Sequence, residues 1–310
     1  MKESFGCDAV LVVGFGGPTC AEEVRPFLDN VLRGRRVPRE RYETVVHHYE
    51  LLGGRSPYND LTIRQVAALR AELACVGLDI PVAIGMRNSQ PYLQDAIKLL
   101  SERGARRVLA LIMAAHRSPA SFDAYQKALS SAAEGLTSAA PRFVYPEPWF
   151  AHPKFIAAVA ARTTEAIARL DRSERPRAKL IFTAHSIPVA MAAESPYVEQ
   201  VTESASLVAA RLGVPDFVLA FQSRSGDPRE PWLGPDIGAA LRTLKRGTAA
   251  VVVPIGFLCD HVEVLYDLDI EAAAIAHEAG VAFERAATVN DHPEFIAMMA
   301  EIVRRHIRGA

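Results

Sequence analysis

The chain has 310 residues, which at about 150 residues per domain gives room for two domains with real cores and excludes a small module stapled by disulfides or metal. Half of the residues are apolar and 23% are charged, with 35 Lys and Arg against 36 Asp and Glu. That is the profile of an ordinary globular protein, neither disordered nor built to coat nucleic acid. Cys7, Cys20, Cys75 and Cys259 are scattered without a close pair, so they spell no zinc knuckle and no cysteine-held iron–sulfur cluster and read as reduced thiols. No apolar run approaches the roughly 20 residues that span a bilayer, and Met1 to Asp8 does not read as a signal sequence, so the cytoplasm is the expected location.

Short β-rich apolar runs alternate with longer segments of helical period, which predicts an α/β fold of parallel strands and crossover helices. Strands are expected at Ala9 to Val13, Val82 to Gly85, Val108 to Met113, Phe143 to Tyr145, Leu180 to Ala184, Phe217 to Phe221, Ala250 to Ile255 and Ala282 to Arg285, about four in each half. Helices are expected at Ala21 to Leu32, Thr62 to Val76, Pro91 to Arg103, Phe122 to Ala133, Pro153 to Leu170, Tyr197 to Leu212, Pro235 to Lys245, Val262 to Ala279 and Pro293 to Ile307.

The two halves echo each other. Arg103-Gly104 precedes an apolar strand and then His116, while Arg246-Gly247 precedes an apolar strand and then His261. Ala83 to Arg87 answers Ala220 to Arg224, and Gly14 to Pro18 sits after a first strand as Ala184 to Pro188 does. Agreement at three places predicts a duplicated unit: residues 1–150 and 151–310, divided where Pro146 to Pro153 interrupts regular structure, with the last helix, 293–307, free to pack back on the first half.

In open parallel sheets ligands bind beyond the carboxyl ends of the strands, so those ends are where chemistry is sought. Gly14-Phe15-Gly16-Gly17-Pro18-Thr19 begins like a dinucleotide fingerprint but has Thr19 where the third glycine belongs. It reads instead as a tight turn whose missing side chains let a flat ligand approach, with Phe15 as an aromatic face, or as a plain strand-to-helix turn. His185 emerges from an apolar run. A neutral imidazole there can ligate a borderline metal and accept a proton near pH 7, whereas a structural histidine would merely donate to a carbonyl.

Glu263, Asp267 and Glu271 recur every four residues and form one acidic stripe on a helix. Like charges at that spacing repel by a few tenths of a kcal/mol per pair, so the stripe asks for a cation. The competing reading is a solvated face. The first half supplies Arg33 to Arg36, His47, His48, Tyr49, Ser56, His116 and Tyr125, a mixture that suits an aromatic ligand carrying carboxylates or, for the basic cluster, a solvated loop.

Six stretches stand in order: Gly16-Gly17-Pro18, Gly53-Gly54-Arg55-Ser56-Pro57, Ala184-His185-Ser186-Ile187-Pro188, Ala220-Phe221-Gln222-Ser223-Arg224, Pro231-Trp232-Leu233-Gly234-Pro235-Asp236, and Pro254 to Glu271. On these the sequence resembles the ferrochelatase family over nearly its whole length. The resemblance implies two similar Rossmann-like, chelatase-type lobes around a porphyrin cleft, each a roughly four-stranded parallel sheet flanked by helices. It implies insertion of Fe²⁺ into a porphyrin, coproporphyrin III or protoporphyrin IX, in haem biosynthesis, with release of two protons. It places His185 and Glu263 as the catalytic, metal-holding pair facing one another across the macrocycle, and Asp267 and Glu271 as further metal-holding groups leading away. Porphyrin contacts carried over are Phe15, Arg33, Tyr49, Ser56, Tyr125 and Trp232. Phe15 stands where related proteins often carry a tyrosine, and His48 and Leu32 where arginines are common. The expected partners are porphyrin and ferrous iron as substrates, with no iron–sulfur cluster, no nucleic acid and no transmembrane segment, and the short form leans toward a monomer acting on coproporphyrin III. Alternatives of other kinds are a non-catalytic tetrapyrrole carrier and a chelatase placing cobalt or iron in a more reduced, sirohydrochlorin-type ring.

Overall fold

Ala9–Gly14 (β1) is apolar and wholly buried, as a strand covered on both faces must be. In the computed structural model, which describes residues 6–34, 37–136, 140–225 and 229–307, it pairs in parallel with Val82–Met86 (β2) and Arg107–Ile112 (β3). Arg142–Val144 (β4) adds an edge beside β3, giving the order β2-β1-β3-β4. Helices Ala21–Val31 (α1), Arg39–Leu51 (α2), Tyr58–Cys75 (α3), Leu93–Glu102 (α4) and Ala124–Glu134 (α5) accompany this sheet.

The second sheet repeats the plan. Lys179–His185 (β5) is central, between Phe217–Gln222 (β6) and Ala249–Val253 (β7), and Ala282–Arg285 (β8) lies outside β7, in the order β6-β5-β7-β8. Its helices are Pro153–Arg169 (α6), Val189–Ala193 (α7), Tyr197–Leu212 (α8), Ile237–Arg242 (α9), Val262–Val264 (α10) and Ala273–Ala279 (α11), and Pro293–His306 (α12) closes the described chain. The expected α/β class, with two four-stranded parallel sheets built alike, is what forms. The chain divides into two compact units. One holds residues up to Met113, Asp123–Glu147 and those from Ile296 onward, and the other holds Ala114–Phe122 and Pro148–Phe295. No helix among the described residues is long and apolar enough to cross a membrane.

Three local readings need correction. The basic segment read as a possible loop contains α2, whose pattern is faint because only Val46 and Tyr49 are buried on it; Arg35 and Arg36 lie outside the described residues. Two helical stretches contain π turns, Pro119–Asp123 and Leu265–Ala272, which period counting cannot separate from α-helix. The space left by the missing side chains of the glycines after β1 is taken by the protein itself. A methyl group on Gly16, whose φ is +89°, would lie 2.4 Å from Ser89 Oγ, and one on Gly17 would lie 2.8 Å from Ser56 Cβ. Protein side chains fill those positions, and Gly17 N–H donates to Asn59 Oδ1 at 3.0 Å. His116 is a core group of the second unit, with Nε2 3.0 Å from Ser204 Oγ and its ring among Phe150, Phe155 and Tyr197. Burial pushes its pKa down to about 3.

Gly256, just beyond β7, donates its N–H to Thr183 O on β5 at 3.0 Å. A methyl there would lie 2.6 Å from Ala184 Cβ and 2.7 Å from its Cα, so only glycine lets this turn touch the strand beside His185. Gly256→Ala is therefore expected to destabilise the protein by about 1–3 kcal/mol. Gly135→Ala, where the nearest atom is 3.4 Å away and φ is −76°, should be neutral or stabilising by up to about 1 kcal/mol. Urea midpoints of the two variants check the contrast.

Candidate active site

His185 is the last residue of β5 and pairs in register with Gln222, the last residue of β6. Its Nδ1 lies 2.5 Å from the Ser186 carbonyl oxygen. A carbonyl only accepts, so the imidazole donates through Nδ1–H, and Nε2 carries the free lone pair. The backbone around it is held as well: Tyr197 hydroxyl donates to His185 O at 2.9 Å, and Ser186 hydroxyl donates to Leu233 O at 2.8 Å. The segment after His185 lies antiparallel to the one bearing Trp232, through a bridge between Pro188 and Trp232. The Trp232 ring is half-buried, and its Nε1–H is buried with no acceptor among the described residues.

The acids come from beyond β7. His261 Nδ1 accepts the Glu263 N–H at 3.2 Å and so caps α10. That requires an unprotonated Nδ1, in keeping with the burial that lowers the His261 pKa. Glu263 is thereby aimed back at β5, with Oε2 4.0 Å from His185 Nε2. This is too long for a direct hydrogen bond and short enough for one small ion or water to touch both groups. Phe257 packs beside both histidine rings, at 6.5 Å from His185 and 5.3 Å from His261.

Asp267 and Glu271 follow on the π-helical stretch. Asp267 accepts a hydrogen bond from Ser223 hydroxyl, and Ser223 holds φ at +60°, a left-handed conformation uncommon for a residue with a side chain. The Gln222 amide is buried nearby without closing a hydrogen bond of normal geometry. Burial pushes the Asp267 carboxyl up to about 7, repulsion from Glu263 and Glu271 adds to this, and Ser223 pulls against it.

The pair geometry corrects one expectation. A porphyrin between His185 and Glu263 would need about 7 Å, two van der Waals contacts of about 3.5 Å, and the groups are 4.0 Å apart. They stand side by side, with no room for a ring between them. The other carried-over residues belong to the first unit. Phe15 is half-exposed after β1 and packs edge-on to Phe27 at 6.1 Å, and Phe27 in turn packs on Tyr49 at 6.2 Å. Tyr49, Ser56 and Tyr125 are buried, while Arg33 is exposed and donates to Asn30 Oδ1. Ser223, His261 and Tyr197, which the motif reading quoted or passed without assigning, hold Asp267, the Glu263 backbone and the His185 backbone respectively. Searching the end of β6 as well as β5 and β7 would have raised Ser223.

The raised Asp267 pKa has a consequence for stability. The folded form holds a proton more tightly than the unfolded chain, so this site's stabilisation is full below pH 3.8 and is lost as pH rises through about 7. Asp267→Asn should flatten the decline of stability over that interval, measured as urea midpoints against pH.

A family model described as Ferrochelatase matches residues 7–307. A coproporphyrin III ferrochelatase of Mycolicibacterium smegmatis is 42% identical over 307 residues, covering 97% of this chain and 90% of that protein. A ferrochelatase of Rhodopirellula baltica is 39% identical over 310 residues, covering 99% and 88%. Among solved structures, SirB from Bacillus subtilis with Fe³⁺ superposes with a TM-score of 0.58 at 15% identity, covering 97% of this chain and 95% of that one. CbiX, described as the terminal enzyme for biosynthesis of sirohaem in denitrifying bacteria, gives 0.54 at 15%, covering 96% and 99%. The two solved structures establish a shared fold, and the sequence matches establish more: this chain belongs to the ferrochelatase family, enzymes that insert ferrous iron into a porphyrin for haem biosynthesis.

Proposed function

We propose that the porphyrin is coproporphyrin III, and that His185 and Glu263 together present Fe²⁺ to one face of the ring and receive the two protons it releases. The observation that carries the assignment of residues is the 4.0 Å separation between a lone-pair Nε2, its tautomer held by Ser186, and a carboxylate oxygen. Support for the substrate comes from relatives of Mycolicibacterium, Mycobacterium and Nocardia named as coproporphyrin III ferrochelatases, 41–43% identical over at least 96% of this chain.

In this reading the ion approaches along Glu271 and Asp267, where oxygen donors replace part of its water shell before His185 and Glu263 complete the exchange. Two protein donors leave the remaining positions on the ion to water and to incoming pyrrole nitrogens. As iron bonds to the four nitrogens, the two pyrrole N–H bonds break and their protons pass to the basic atoms of the pair and then to solvent. The indole of Trp232 supplies an apolar surface for the ring.

The test is anaerobic incubation of the purified protein with Fe²⁺ and either porphyrin, followed by absorbance. Coproporphyrin III should be metallated faster than protoporphyrin IX, and His185→Ala and Glu263→Gln should each lower turnover by about 10²- to 10⁴-fold. Equal rates with both porphyrins overturn the substrate, and unchanged turnover in both variants overturns the residue assignment. Because Asp267 ionises as pH rises through about 7, the KM for metal should fall across that range, and Asp267→Asn should remove the trend.

A further inference from the structure

We propose that Arg285 is a positioning residue for metal insertion: from the end of β8 its guanidinium grips both the loop before Glu263 and the π turn after it, and so sets where the acidic line points. Arg285 Nε and Nη2 donate to the two oxygens of Asp269 at 2.7 Å each, a bidentate fork, and Nη1 donates to Asp260 Oδ1 at 2.6 Å. Asp269 stands midway between Asp267 and Glu271 in sequence, and Asp260 immediately precedes the cap His261.

Asp260 is itself fixed from the far side. Its carboxylate accepts from Thr288 N–H at 3.1 Å and Asn290 Nδ2 at 2.8 Å, and its own N–H donates to Asn290 Oδ1 at 3.0 Å. The guanidinium is therefore a bracket between a strand and both sides of the acid-bearing segment. A planar fork fixes angle as well as distance, which a lysine would not do. It also neutralises two carboxylates that would otherwise add to the repulsion along Glu263, Asp267 and Glu271. Arg285 makes none of these contacts through the acidic line itself, so its effect on chemistry passes through Asp260 and Asp269.

Steady-state insertion of Fe²⁺ or Zn²⁺, with metal and porphyrin varied separately, tests this. Arg285→Gln should lower kcat or raise the metal KM by an order of 10- to 100-fold, the cost of a small misplacement, while the porphyrin KM and porphyrin binding read by fluorescence stay near wild type. Arg285→Lys should recover only part of the loss, and Arg285→Gln combined with Asp269→Asn should be no worse than Arg285→Gln alone. If Arg285→Gln does not fold, Asp269→Asn decides, with a raised metal KM at unchanged porphyrin KM expected. Wild-type metal KM and kcat in both single variants would overturn the proposal. So would a loss that only follows the fraction of folded protein, with porphyrin and metal parameters moving together.

Discussion

The site rests on one close backbone contact. β5 and β7 are adjacent parallel strands, so their carboxyl ends open on the same side, and the chain leaving β7 must turn without being pushed away from β5. Gly256 allows it, since its missing side chain is the space occupied by Ala184. The turn then stays beside the residue preceding His185, and the capped helix that follows carries Glu263 to within 4.0 Å of the imidazole. A side chain at position 256 would push this turn off β5 and carry Glu263 away from His185.

Much of this was legible in the sequence. The strands of the described residues were marked by short apolar or β-rich runs, with ends within two residues of those observed, and the matched halves pointed to two similar sheets. His185 stood at a strand end, where a polar group after an apolar run is conspicuous, and Glu263 opened an acidic stripe of period four in the segment after another apolar run. What could not be read was any property that depends on which strands are neighbours. The Ser223 bond to Asp267 needs β6 and the π stretch brought together, and the Arg285 fork needs β8 beside the same stretch. The π turns themselves are invisible to period counting because a few residues of wider helix change the pattern by less than a turn. The glycines after β1 were misjudged for the same reason, as Ser89 and Ser56 come from other parts of the chain to fill the space.

The side-by-side arrangement changes the problem that the catalytic groups solve under the proposed assignment. Nε2 of His185 has one lone pair, so it cannot hold iron and accept a pyrrole proton at the same time. A carboxylate beside it has two oxygens and several acceptor directions, and it can keep one contact with the ion while another takes a proton. The hand-over then has a natural order: iron slips from Nε2 toward the ring nitrogens, and the vacated lone pair becomes the base for the proton that iron displaces. Groups on opposite faces could divide metal and proton between them from the start. Groups sharing a face must exchange the tasks in time, and the 4.0 Å spacing lets both reach one small ion before that exchange begins.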